Sequence, residues 1–143
     1  MSRKSLLPAL IGLAWLAGPP SIAVGADVPR AGYFAEHERI DAEYSVAKER
    51  CDRYSGNAQD VCVAEARAAR RIAKTESEAR YRGTPKAWYD ARAARAEAEF
   101  EVARERCGDR ARDTKDVCLA EARAAETRAK AEAKLARQQA EGR

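Results

Sequence analysis

Apolar and aromatic positions recur along the chain at alternating spacings of four and three. Tyr33, His37, Ile40, Tyr44, Ala47, Cys51 and Tyr54 form one such stripe, and Tyr89, Ala93, Ala96, Phe100, Ala103 and Cys107 form another. This is the heptad seam of an amphipathic helix, and in each stripe a cysteine sits on it. Two further stripes, Cys62, Ala66, Ala69, Ala73 and Cys118, Ala122, Ala125, Ala129, are mostly alanine. Between the stripes lie Ala, Glu, Lys and Arg, which are good helix formers. Alternating runs of Val, Ile or Thr, the mark of strands, are nearly absent. The pattern predicts an all-α chain with helices over about 31–54, 58–82, 85–109 and 114–138. Each would be roughly 35 Å long at about 1.5 Å per residue.

The breaks carry turn chemistry. In Ser55-Gly56-Asn57, Gly56 is free to take a positive φ. Asn57 then reads as an N-cap with Asp60 in the first turn, and Asp113 and Asp116 take those places later. Gly83-Thr84-Pro85 gives a helix stop, a capping hydroxyl and a proline suited to the first helical position.

The chain repeats itself at an offset of 56. AGYFAEHERIDAEYSVAKERC (31–51) lies over AWYDARAARAEAEFEVARERC (87–107), and DVCVAEARAA (60–69) lies over DVCLAEARAA (116–125). One unit, two antiparallel helices and a bend, therefore explains both halves. The order expected is a leader over 1–26, a short segment over 27–30, a first hairpin over 31–82, a linker over 83–86, a second hairpin over 87–138 and a tail over 139–143. The fold expected is all-α, two tandem hairpins, either packed as a four-helix bundle or set in a row.

Alanine stripes let helices approach closely but bury little area each, at about 25 cal/mol per Å². A hairpin this thin needs a further fastening. CDRYSGNAQDVC (51–62) returns as CGDRARDTKDVC (107–118), so each bend is flanked by two cysteines on seam positions. Bonds Cys51–Cys62 and Cys107–Cys118 would each close a short loop, worth roughly 3 kcal/mol in the chain-entropy model. Bonds across hairpins or between chains remain alternatives, because four cysteines allow three pairings. A zinc site would want short C-x2-C spacing, and redox catalysis a C-x-x-C. Neither is present, and His37 is the one histidine. No catalytic residue, metal site or cofactor is expected.

The N-terminus changes the charge argument. Arg3 and Lys4 precede an apolar run from Leu6 to Ala17, then Gly18-Pro19-Pro20 and the small residues Ala23-Val24-Gly25-Ala26. This is the plan of a secretory signal peptide cleaved after Ala26, with an apolar run too short to span a bilayer. Taking 26 residues from 143 leaves 117, and losing Arg3 and Lys4 lowers the net charge from +4 to +2. The remaining charges are interspersed, as on a solvated helix face and unlike a nucleic-acid footprint. Glu49/Arg53 and Glu126/Lys130 have the i,i+4 order that supports exposed helices. His37 reads as a packing or surface residue. Trp88, Tyr89 and Phe100 read as anchors of the second hairpin or of the contact between hairpins, or else as a patch for a partner.

The doubled segment, CDRYSGNAQDVCVAEAR and more loosely CGDRARDTKDVCLAEAR, resembles a group of small exported proteobacterial proteins. Their mark is a duplicated C-x-x-L-S/A-G-N-A-K-D-V-C-x-x-E-A-K/R helical hairpin, and their Ala/Lys/Glu-rich helices earn them the loose label TolA-like. Here Tyr54 replaces the usual Leu, and the second copy lacks the Gly-Asn turn. The resemblance implies export and this architecture, and no activity. The expectation is a non-enzymatic periplasmic structural or interaction protein of the cell envelope. Its partner would be another envelope protein or a second copy, with neither nucleic acid nor a membrane surface expected. The alternatives are a chaperone-like or membrane-surface binding module, and a thiol redox or metal-buffering protein.

Overall fold

The structure, a computed structural model, describes residues 30–143; the expected leader and its cleavage point lie outside the described residues. It holds four helices: α1 (Arg30–Cys51), α2 (Asn57–Arg82), α3 (Pro85–Arg106) and α4 (Arg112–Glu141). Among the described residues there is no strand.

Several helix ends differ from expectation, each for a local reason. Helix α1 stops at Cys51, so Tyr54 leaves the seam and is exposed. Gly56, not Asn57, caps α2. Its φ of 58° and ψ of −145° are open to glycine, and its carbonyl accepts the N–H groups of Gln59 (3.0 Å) and Asp60 (3.1 Å). Asn57 is thereby drawn into the first turn. Ala111 caps α4, its carbonyl accepting the Lys115 N–H at 2.7 Å, so Asp113 and Asp116 lie inside the helix. Asp113 there faces the positive end of the helix dipole. Helix α4 runs to Glu141 because no breaker intervenes before Gly142. The middle junction forms as read. Gly83 is left-handed (φ 63°), Thr84 Oγ1 accepts the Ala87 N–H at 3.1 Å, and Pro85 opens α3.

Packing follows chain order: α1 on α2, α2 on α3, α3 on α4, with no other helix pair in contact among the described residues. The two hairpins thus join through α2 and α3, as an antiparallel four-helix bundle left open between α1 and α4. The duplication survives in three dimensions. The groove between α1 and α2 is lined by Ile40, Tyr44, Ala47, Ala66, Ala69 and Ala73, and that between α3 and α4 by Ala96, Phe100, Ala103, Ala122, Ala125 and Ala129. Each residue of the second set stands 56 positions after its counterpart. These are the seam residues of the sequence pattern.

A second apolar face, not part of the heptad reading, holds the hairpins together. Ala64, Ala68, Ile72 and Ala79 of α2 pack on Ala87, Ala91, Ala98 and Val102 of α3. Ion pairs Arg71–Glu97, Arg95–Glu76 and Arg106–Glu65 flank this face. Among the described residues, every buried apolar residue apart from Ile40, Val102, Cys51 and Cys107 is an alanine. The core is therefore thin, and close backbone approach does what large side chains do elsewhere.

The carboxylates that sequence reading missed are Asp41 and Glu97, equivalent positions in the two copies. Asp41 accepts from Lys74 (2.7 Å) and Arg70 (2.6 Å) across the first hairpin, and Glu97 accepts from Lys130 (2.9 Å) across the second. Bonding to Lys74 and then Arg70 lowers the Asp41 pKa, and bonding to Lys130 and then Arg71 lowers that of Glu97 against the opposing effect of burial. Groups held below their unfolded values contribute stability above those values and lose it as pH falls. The melting temperature is expected to be flat near neutrality and to fall below about pH 4, as circular dichroism melts at stepped pH would show.

Candidate functional site

Antiparallel order puts both bends, and hence both cystines, at one end of the bundle. Cys51 pairs with Cys62 at a Cα–Cα distance of 5.6 Å, and Cys107 with Cys118 at 5.9 Å, both ordinary for a disulfide. The sulfurs lie where the sequence placed them, on seams that face each other beside each bend. Cys51 and Cys107 are fully buried, and no cysteine is free. Disulfides of this kind belong to an oxidising, exported environment. No described helix is long and apolar enough to cross a membrane.

The two bends also touch. A Cβ added to Gly108 would overlap Asn57 Oδ1 and stand 2.9 Å from the Glu105 carbonyl oxygen. The second copy therefore keeps a glycine, moved to the position where the first copy's Asn57 presses on it. Gly108→Ala is expected to destabilise by about 1–3 kcal/mol through this overlap. A double-mutant cycle with Asn57→Ala should recover part of that loss, whereas purely additive losses would show that the two bends are not coupled.

The opposite end is aromatic. Tyr33 stacks on Tyr81 at 4.6 Å and lies 4.3 Å from the His37 ring. Its hydroxyl donates to Glu78. That bond is the first cause both of the raised Tyr33 pKa and of the lowered Glu78 pKa; burial adds to the first shift and opposes the second. The contact contributes while Glu78 is ionised and Tyr33 is not, from about pH 5 to about pH 10. Tyr33→Phe should cost under about 1 kcal/mol, since the pair is part-exposed, and should raise the Glu78 titration midpoint in NMR. His37 is a packing residue as read, although its Nε2 is buried with no hydrogen-bond partner.

The structure departs from the sequence pattern at the aromatics and at one ion pair. Trp88 is 38% exposed and lies outside the buried α2–α3 clusters, where Ala87 and Ala91 take the inward positions. Tyr89 and Phe100 are half-buried, Tyr89 under the Arg137 guanidinium at 5.7 Å and Phe100 in the α3–α4 groove. With Phe34 and Tyr81, Trp88 leaves three large rings exposed at this end. Glu126–Lys130 forms at 2.8 Å. Glu49–Arg53 does not, since α1 ends before Arg53, whose Nε donates to the Arg50 carbonyl at 2.8 Å.

The grooves are shallow and lined by alanine with Arg and Glu at their rims. One of about 170 Å³ lies between Ala64, Ala68, Ala98 and the charged Arg67, Arg71 and Glu105. The described residues hold no group of three or more His, Cys, Asp or Glu placed to bind a metal. No protein-family model matches the chain, and no curated protein or solved structure shows significant similarity to it.

Proposed function

We propose that this is a non-enzymatic structural or interaction protein of the cell envelope, exported to the periplasm by a leader cleaved after Ala26. The observation that carries the reading is the fastening of each hairpin by its own disulfide while the outer helix faces stay exposed. A bundle built this way holds its shape with little core and presents long, charged, alanine-rich surfaces. Its two ends differ, one closed by cystines and the other carrying Phe34, Tyr81 and Trp88. Such an object suits holding or spacing other proteins. The resemblance to exported TolA-like hairpin proteins points the same way. All four sulfurs are taken up in disulfides, which leaves no thiolate for metal buffering.

The exposed rings favour one alternative, a chaperone-like or membrane-surface module that engages apolar groups through Phe34, Tyr81 and Trp88. Two experiments address these readings. N-terminal sequencing of the periplasmic protein tests the leader, with Asp27 expected as the first residue. In-cell cross-linking from a photoreactive residue at position 88 should capture discrete envelope proteins. Suppression of client aggregation or binding to anionic vesicles would favour the alternative, and turnover of any envelope substrate would sink both.

A further inference from the structure

We propose that copies of this chain associate head to tail, α4 of one against α1 of the next, by repeating the contact that α2 and α3 make inside the molecule. The proposal deepens the structural reading above by naming a partner, a second copy.

The two copies are related by the offset of 56. The α2 face that binds α3 includes Ala64, Ala68 and Ala79, and its counterpart on α4 is Ala120, Ala124 and Leu135. The α3 face that binds α2 includes Ala91, Ala98 and Val102, and its counterpart on α1 is Ala35, Ala42 and Val46. The inner members are buried or half-buried, and every outer member is exposed, Leu135 at 57% and Val46 at 48%. The molecule thus carries both halves of an interface it already makes, one on each open edge.

The charges repeat as well. Arg106–Glu65 bridges α3 to α2 at 2.6 Å, and the same offset gives Arg50 on α1 and Glu121 on α4. Arg95–Glu76 likewise gives Arg39 and Glu132. Among the described residues, Arg50, Glu121 and Glu132 form no ion pair within the chain, while Arg39 pairs with Glu36 and Glu43 on its own helix, as Arg95 also does with Glu99. Two of the three inner bridges are therefore available between copies, with the signs in the right places. Departures are Leu135 for Ala79, Arg128 for Ile72, Glu38 for Ala94 and Thr127 for Arg71. They make the outer contact weaker than the inner one, which also gains from being tethered through Gly83 and Thr84. Because the two edges differ, the contact is heterologous and extends into an open array. Each added copy continues the pattern of hairpin on hairpin.

The test is sedimentation velocity on the oxidised, exported protein from about 10 µM to about 1 mM. Mean mass should rise reversibly with concentration. Arg50→Glu alone sets like charges against Glu121, and Glu121→Arg alone sets them against Arg50, so each should weaken association roughly tenfold. Both sites are exposed, and unchanged helicity and melting would show that each variant folds. An equimolar mixture of the two variants should associate again, because every α4-to-α1 contact between unlike copies then joins opposite charges. A face-to-face dimer through one edge would contain only one of the two positions and would respond to only one of the two reversals. A monomer throughout the range overturns the proposal. So does association that survives both reversals, or a loss that mixing does not restore. Cross-linking to other envelope proteins is read separately, so failure here leaves the broader reading standing on its own test.

Discussion

Reduction of both disulfides is expected to lower the melting temperature by about 20 °C or more, or to leave the chain unfolded at 37 °C. Each bond joins cysteines 11 residues apart, a loop for which chain entropy gives about 3 kcal/mol. Two such loops supply about 6 kcal/mol, against a total of about 5–15 kcal/mol for an ordinary domain. The core offers little to replace them, since burial is dominated by alanine. Replacing Cys51 and Cys62 by serine should produce about half the effect, and replacing Cys107 and Cys118 the other half, if the hairpins unfold together. Thermal melts by circular dichroism, with and without a phosphine reductant, read this directly. A melting temperature unmoved by reduction would mean that the alanine seams suffice.

Ala98→Leu is expected to destabilise the protein by about 2–3 kcal/mol while both disulfides stay intact. Ala98 is 3% exposed and sits with Ala68 and Val102 in the buried contact between α2 and α3. Three extra carbons have no space there, so either the helices part or the side chain leaves its rotamer. Parting would separate the hairpins without undoing either one. The expected signature is an earlier melt with most helicity retained just above it, and fast hydrogen exchange confined to α2 and α3 faces. Ala42→Leu, the equivalent change on exposed α1, should leave the melt unmoved, which separates crowding from a general effect of leucine.

Much of this was legible in the sequence. The seams, the bends, the Thr84 cap and both cystine pairs follow from local spacing and turn chemistry, which short-range physics decides. The misreadings were at the edges of that physics. Asn57 reads as a cap because its side chain is suited to one, yet Gly56 can adopt a backbone geometry that Asn57 would resist. Trp88 reads as an anchor because it is large, yet Ala87 and Ala91 occupy the buried positions beside it and the ring stays 38% exposed. Asp41 and Glu97 were indistinguishable from other surface acids until the facing helix brought lysine to them.

The sequence by itself determined the helices, the duplication and the sites of the staples, because each depends on residues close in the chain. Tertiary structure alone decided that the hairpins join through α2 and α3, and that the bends meet at Asn57 and Gly108. The reason lies in the duplication: every helix carries a second apolar face beside its seam, and two copies of one pattern give pattern reading no means to say which of these faces finds a partner. The short Gly83-Thr84 connection decides it, by holding α2 and α3 side by side and leaving the same faces of α1 and α4 open.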